Sequence, residues 1–346
     1  MRAGRFLSSA RLWLAVFLVV VLSAVASPGA VAQGGPLPSW NQGEARNAIL
    51  AFVAAVTTPG SPEFVPEAER IATFDMDGTL WVEQPYYPEV IFAYDRLAAR
   101  AAAQPELAQS EPVRSILAGG HAGLPQLSAA DLETLLSTAM SGMTPEAFGD
   151  EVRDWLAAAR QPRLDEPFGA LAYEPMLEVM AYLRDHGFRT YVVTGSSQAF
   201  ARAFAGEVFG VPPEQVVGTA RYTKYGHDGE GRPQLIRQPE MILNVSYGGK
   251  PEAIELFIGR RPVAAFGNSG GDADMLAYVT ARQGRSLGML VLHDDAQREF
   301  AYGPALGLPD TGVGVFNQAL YDRARTAGWH VISMRRDWNA MFKAQK

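Results

Sequence analysis

The chain has 346 residues, 48% hydrophobic and 19% charged, which supplies a packed core and rules out a largely disordered protein. Its formal charge is −7, and the first 32 residues hold three Arg and no acid, so without them it falls to −10. A surface of that sign repels phosphate backbones and argues against nucleic acid as a partner, and the absence of Cys removes disulfides and thiolate catalysis.

Along the chain, Arg2, Arg5 and Arg11 flank or precede an apolar run from Leu12 to Val25, and Ala30-Val31-Ala32 stand before Gln33. That order predicts a signal peptide over residues 1–32 and an exported protein, periplasmic or secreted, without stable membrane embedding after cleavage; the run is short for a spanning helix. Glu44 to Val56 follows as an amphipathic helix with Ile49, Phe52, Val53 and Val56 on one face. Ile71 to Phe74 is a short apolar run that stops at Asp75-Met76-Asp77-Gly78-Thr79, the pattern of a buried strand delivering its end to a site.

Residues 85–168 change character, to Ala-, Leu- and Glu-rich helical stretches: Tyr94 to Ala103, Asp131 to Met140, and Pro145 to Ala159 with Thr144 as N-cap. Alternation then resumes. Pro175 to Asp185 is a helix stopped by Gly187, and Phe188 to Val193 a strand ending at Thr194-Gly195-Ser196-Ser197, with a helix from there to Val208. Thr219 to Tyr225 and Gln234 to Ile236 form a hairpin about His227-Asp228-Gly229. Lys250-Pro251 opens a helix, Val263 to Phe266 is a strand, Gly267 to Gly271 leads into a helix around Met275 to Val279, and Leu287 to Leu292 is a further strand. The whole reads as an α/β fold with a parallel sheet, built from residues 33–84 and 169–346, and an all-helical insertion over 85–168.

Polar groups in apolar surroundings mark the strand ends: Asp75 and Asp77, Thr194 with Gly195, Lys250 at a helix start, then Asn268 and Asp272. Two carboxylates two residues apart where a strand breaks need a counter-ion, because an unpaired buried charge costs several kcal/mol. Mg²⁺ suits such oxygen donors, a carboxylate can attack phosphorus, and the Thr194 hydroxyl, backbone N–H groups of the following helix start and Lys250 would hold phosphate oxygens.

The segments FDMDGTL (Phe74 to Leu80), VVTGSS (Val192 to Ser197), GGKPEAI (Gly248 to Ile254) and FGNSGGDADML (Phe266 to Leu276) resemble the four ordered motifs of the haloacid dehalogenase superfamily, in its phosphoserine-phosphatase-like branch. The resemblance implies a Rossmann-like core with a helical cap between the first two motifs. It implies a Mg²⁺-dependent phosphatase acting on a small phosphorylated metabolite, phosphoserine-like in kind, through an aspartyl phosphate. Asp75 is then the nucleophile and Asp77 the general acid and base. Thr194, Gly195 and Lys250 bind phosphate, and Asp75, Asp77, Asn268 and Asp272 form the metal site. The fourth motif departs from the pattern, with Asn268 where related phosphatases commonly carry Asp and Gly270 where related exported members tend to carry an acid. Asn268→Asp is therefore expected to tighten Mg²⁺ binding, and Gly270→Asp to help less if Gly270 needs a positive φ.

A rival reading takes Gly267-Asn268-Ser269-Gly270-Gly271 as a nucleophile elbow, with Ser269 attacking an ester and Asp294 or Asp310 and His330 completing a triad. A third makes the chain a non-catalytic phosphate-binding module. The aromatics Trp81, Tyr86, Tyr87, Phe92 and Tyr94 suggest either a box for a choline-like cation or, more simply, packing, and Glu83, Gln84, Arg96 and Arg114 are candidates to touch the substrate.

Overall fold

The structure is a computed structural model that describes residues 35–343; the expected signal peptide over 1–32 lies outside them. From Pro36 onward the chain forms one compact unit. Seven strands make one sheet: β1 (Ile71–Phe74), β2 (Arg189–Ser197), β3 (Val216–His227), β4 (Pro233–Leu243), β5 (Ala264–Gly267), β6 (Leu287–Leu292) and β7 (His330–Ser333). Their order is β4-β3-β2-β1-β5-β6-β7. All neighbours run parallel except the β3–β4 hairpin at one edge.

β1, β5 and β6 are buried at every residue, as expected of strands covered on both faces. Alternate residues feed two cores. Phe74, Val192, Phe266 and Met289 meet Ile49 and Phe52 of the helix Glu44–Thr57 and Met176 and Val179 of the helix Glu174–Asp185. Tyr191, Val193, Ala265 and Leu290 meet Met275 and Leu276 of the helix Ala273–Thr280 and Leu320 of the helix Gln318–Ala327. Phe74 stacks on Phe266 at 4.4 Å, locking β1 to β5.

The chain moves outward from β1 through β2 to β3, then crosses to β5 on the other side of β1, so the sheet reverses direction of growth there. The carboxyl ends of β1 and β5 are where ligands bind in such sheets. Asp75 and Asn268 stand just past those ends, and Asp75 N–H donates to the Phe266 carbonyl at 2.9 Å.

Between β1 and the helix Glu174–Asp185 the chain forms the helices Pro88–Ala103, Ala129–Ala139 and Pro145–Ala158 with shorter pieces, and no strand. Thr144 caps the last of these, accepting from the Ala147 N–H, with Pro145 at the first helical position. Leu97, Leu135, Phe148 and Val152 of this insertion belong to the same buried cluster as Phe74 and Phe200, so the insertion packs on the sheet layer and has no separate core. Several expected elements differ in extent: the helix expected from Tyr94 starts at Pro88, and β2 runs on to Ser197. The helix after β2 breaks into Gln198–Arg202 and Ala205–Val208, with Phe204 between them out of helical geometry and stacked on Trp81 at 4.8 Å. β4 runs on to Leu243, well beyond Ile236, because it pairs with β3 as far back as Ala220.

Candidate active site

A cavity of about 490 Å³ opens at the carboxyl ends of β1, β2 and β5. Asp75, Asp77, Thr194, Gly195, Lys250 and Asp272 line it together with Glu83 and Glu89. Tyr87, Val90, Leu132 and Leu136 of the helical stretch after β1 also line it, as do Tyr247 and Val315.

Lys250 Nζ stands 2.5 Å from Asp75 Oδ1 and 2.6 Å from Asp272 Oδ1, and donates to the Val193 carbonyl at 2.9 Å. Burial works against its charge, but Asp272 and Asp75 overcome that and hold its pKa up at about 12. The Asp75 carboxyl is pushed up to about 7, first by burial and then by the charge of Asp272, with Lys250 pulling the other way. Asp75 Oδ2 has a weaker partner, the Thr79 hydroxyl at 3.4 Å. Asp77 is clamped from both sides, Oδ1 accepting from Trp81 Nε1 at 2.9 Å and Oδ2 from Ser196 Oγ at 2.7 Å. Burial raises its pKa against those two hydrogen bonds.

Several expectations need correction. Asp272, expected to ligate a metal, has both oxygens engaged: Oδ1 by Lys250, and Oδ2 by the N–H groups of Asn268 and Ser269, so it braces the loop. The N–H groups after Thr194 are less free than expected. Ser196 N–H donates to Thr194 Oγ1, and Ser197 N–H is taken by both oxygens of Glu89 at 2.8 and 2.9 Å. Gly270 has no positive φ, so its backbone places no such demand on the residue. Ser269 is a capping residue whose hydroxyl accepts from Gly271 N–H, while His330 lines a different cavity with Asp294 and lies 3.7 Å from Glu44. Ser269 and His330 therefore do not form a triad.

Of the candidate substrate contacts, only Glu83 lines the cavity. Gln84 is buried and donates to Thr311 Oγ1, Arg96 pairs with Glu151 at 2.5 Å, and exposed Arg114 pairs with Glu111 at 2.5 Å. The aromatics are mostly packing: Trp81 and Phe92 are core, Tyr94 donates to the Leu117 carbonyl, and Tyr87 alone reaches the cavity. Sequence reasoning missed Glu89, which lies on the helix Pro88–Ala103 as an ordinary first-turn acid.

Glu89 yields a pH prediction. Burial pushes its pKa from 4.5 to about 7, so the folded state holds a proton the unfolded chain has lost, and stability falls as pH rises through that window. Glu89→Gln has no proton to lose. In metal-free buffer, the variant is expected to gain stability relative to the parent from pH 4.5 to 7, read by urea denaturation; a constant difference contradicts this.

Residues 72–277 match the sequence profile described as haloacid dehalogenase-like hydrolase. No curated protein matches the chain. Among solved structures, a protein with unknown function from Bordetella pertussis Tohama I is similar at 16% identity and a TM-score of 0.47, over 76% of this chain and 98% of that one. A functionally unknown protein from Anaerococcus prevotii DSM 20548 is similar at 15% and 0.48, over 72% and 85%. A phosphoserine phosphohydrolase-like protein from Francisella tularensis subsp. tularensis SCHU S4 is similar at 16% and 0.35, over 65% and 88%. At such scores these likenesses bear on neither substrate nor activity. The profile match spans more than half of the chain, carrying Asp75, Asp77, Thr194, Lys250 and Asp272 within it, and the chain belongs to the haloacid dehalogenase-like hydrolase family.

Proposed function

We propose that the protein is a Mg²⁺-dependent phosphomonoester hydrolase of the phosphoserine-phosphatase-like kind, acting on a small phosphorylated metabolite. The observation that carries this is Asp75 at the end of β1 with Lys250 Nζ at 2.5 Å and Asp77 held beside it in the same cavity. Lys250 holds Asp75 Oδ1 at 2.5 Å, while Oδ2 has only the long contact to the Thr79 hydroxyl at 3.4 Å and is the oxygen that attacks phosphorus. As the P–O bond to the leaving alcohol breaks, protonated Asp77 gives that oxygen its proton, which its raised pKa suits. The Asp77 carboxylate then takes a proton from water, whose oxygen attacks the aspartyl phosphate, freeing phosphate and Asp75.

The residues fit a divalent cation. Asp75, Asp77, Glu83, Glu89 and Asp272 line the cavity against the single amine of Lys250, and burial raises the pKa of the first four. Burial alone favours their neutral forms, and a divalent cation beside them would favour the ionised ones. Among the described residues no three His, Cys, Asp or Glu side chains form a metal-binding group, and a mixed set would hold the ion: the Asp75 carboxylate, the Asp77 carbonyl and the Asn268 amide oxygen. Mg²⁺ there would neutralise charge developing on the transferring phosphoryl group.

A panel of phosphoserine, phosphocholine, sugar phosphates and nucleotides is expected to show Mg²⁺-dependent phosphate release lost on chelation. Release unaffected by chelation, or from none of them, contradicts the proposal. We further propose that residues 85–168 act as the cap that reads the leaving group, and that residues 1–32 are a cleaved export signal. Intact mass of the native protein is expected to place the mature terminus at Gln33. An uncleaved chain contradicts this.

A further inference from the structure

Asn268 brings a dipole to a site whose proposed occupant prefers charge. The carboxylate that touches it comes from elsewhere in the chain. Asn268 Nδ2 donates to Glu83 Oε1 at 2.6 Å, and the same oxygen accepts from Tyr302 Oη at 2.8 Å. Tyr302 stacks on His293 at 4.3 Å, and His293 in turn donates from Nε2 to the Gly78 carbonyl at 2.7 Å. Glu83 is only 2% exposed, yet it lines the cavity.

The backbone is cut to fit this carboxylate. Gly78 and Gly314 both have positive φ, and a Cβ on either would stand 2.3 Å or 1.8 Å from Glu83 Oε1. The amide orientation follows as well. With Nδ2 held by Glu83, Asn268 Oδ1 faces the Thr79 hydroxyl at 3.3 Å, the same hydroxyl that reaches Asp75 Oδ2 at 3.4 Å. Turned over, the amide would press its oxygen against the Glu83 carboxylate and offer N–H groups, which cannot ligate a cation, to the Asp75 side.

We infer that Glu83 and Asn268 form one functional unit of the metal site, in which Glu83, as a positioning residue, accepts from Asn268 Nδ2 and so turns the Asn268 amide oxygen toward Asp75. This rests on the metal reading above and extends it to a residue outside the four motifs. It also reverses the expectation for Asn268→Asp. Beside Glu83 a second carboxylate would meet like charge at 2.6 Å, which destabilises both ionised forms, so the added acid brings no gain. Once Glu83→Gln accompanies Asn268→Asp, the pair is an amide and a carboxylate again, in exchanged order.

The test is calorimetric titration of metal-free protein with Mg²⁺ alone, supported by the thermal shift Mg²⁺ produces, on the parent, Glu83→Gln, Asn268→Asp and the double variant. Glu83→Gln is expected to weaken Mg²⁺ binding about 10-fold or more. Asn268→Asp is expected to bind no more tightly than the parent. The double variant is expected to bind more tightly than Glu83→Gln, and a cooperative thermal transition retained by Glu83→Gln is expected to show that the single variant is folded. Parent-like binding by Glu83→Gln, tighter binding by Asn268→Asp alone, or no recovery in the double variant overturns the inference while leaving the metal reading intact. A parent that binds no Mg²⁺ overturns both.

Discussion

Asp75→Asn is expected to lower phosphate release by roughly 10⁴-fold or more, the scale of losing a nucleophile whose partners cannot substitute for it. An amide oxygen at this position is too weak a nucleophile to displace an alcohol from phosphorus. The loss should appear in kcat, since Lys250, Thr194 and the rest of the cavity wall still bind substrate. The fold should survive. Asp75 sits past the end of β1, its backbone N–H bond to Phe266 does not involve the side chain, and an amide oxygen can still accept from Lys250. Steady-state assays with p-nitrophenyl phosphate, alongside circular dichroism, check both halves; near-normal turnover by a verified variant contradicts the nucleophile assignment.

Lys250→Met is expected to cost stability as well as activity. The Lys250 ammonium lies between Asp75 and Asp272, side chains about 10% and 1% exposed, and methionine keeps its length without its charge. Removing one partner of a buried ionic group leaves uncompensated charge and costs about 3–5 kcal/mol. In metal-free buffer at neutral pH the urea midpoint should therefore drop well below that of the parent. Turnover should fall roughly 10²-fold or more, because Lys250 is, among the described residues, the one cationic side chain lining the cavity. A variant with the parent's urea midpoint and turnover would show that Lys250 carries neither role.

The sequence was most legible where apolar runs end in chemistry. β1 and β6 occupy the residues expected of them, since an unbroken apolar run bounded by polar residues has only one way to sit in a sheet covered on both faces. Strand ends also explain why Asp75, Asp77 and Thr194 come together, since parallel strands deliver their carboxyl ends to one edge of the sheet; Lys250 joins them from the start of the helix Gly249–Ala253. β7 was not legible. Its four residues, His-Val-Ile-Ser, mix polar with apolar, with the first two half-buried and the last two buried, and His330 fitted a catalytic triad instead. Other parts of the site are set by contacts with no local signature. Glu89 meets Ser197 across 108 residues and Glu83 meets Tyr302 across 219, spans over which no periodicity or motif carries information. Pro88 at the first helical position starts its helix six residues before Tyr94, which brings Glu89 and Val90 to the cavity.

The central claim, that phosphate passes through a covalent bond to Asp75, is tested most directly by quenching the protein during turnover, reducing with borohydride and sequencing the peptides by mass spectrometry. An acyl phosphate on Asp75 is reduced to homoserine, so homoserine at position 75, absent without substrate, is the result the account predicts. Active protein that yields unmodified Asp75, or a modification at Ser269, under conditions where a known aspartyl phosphate is trapped would contradict it.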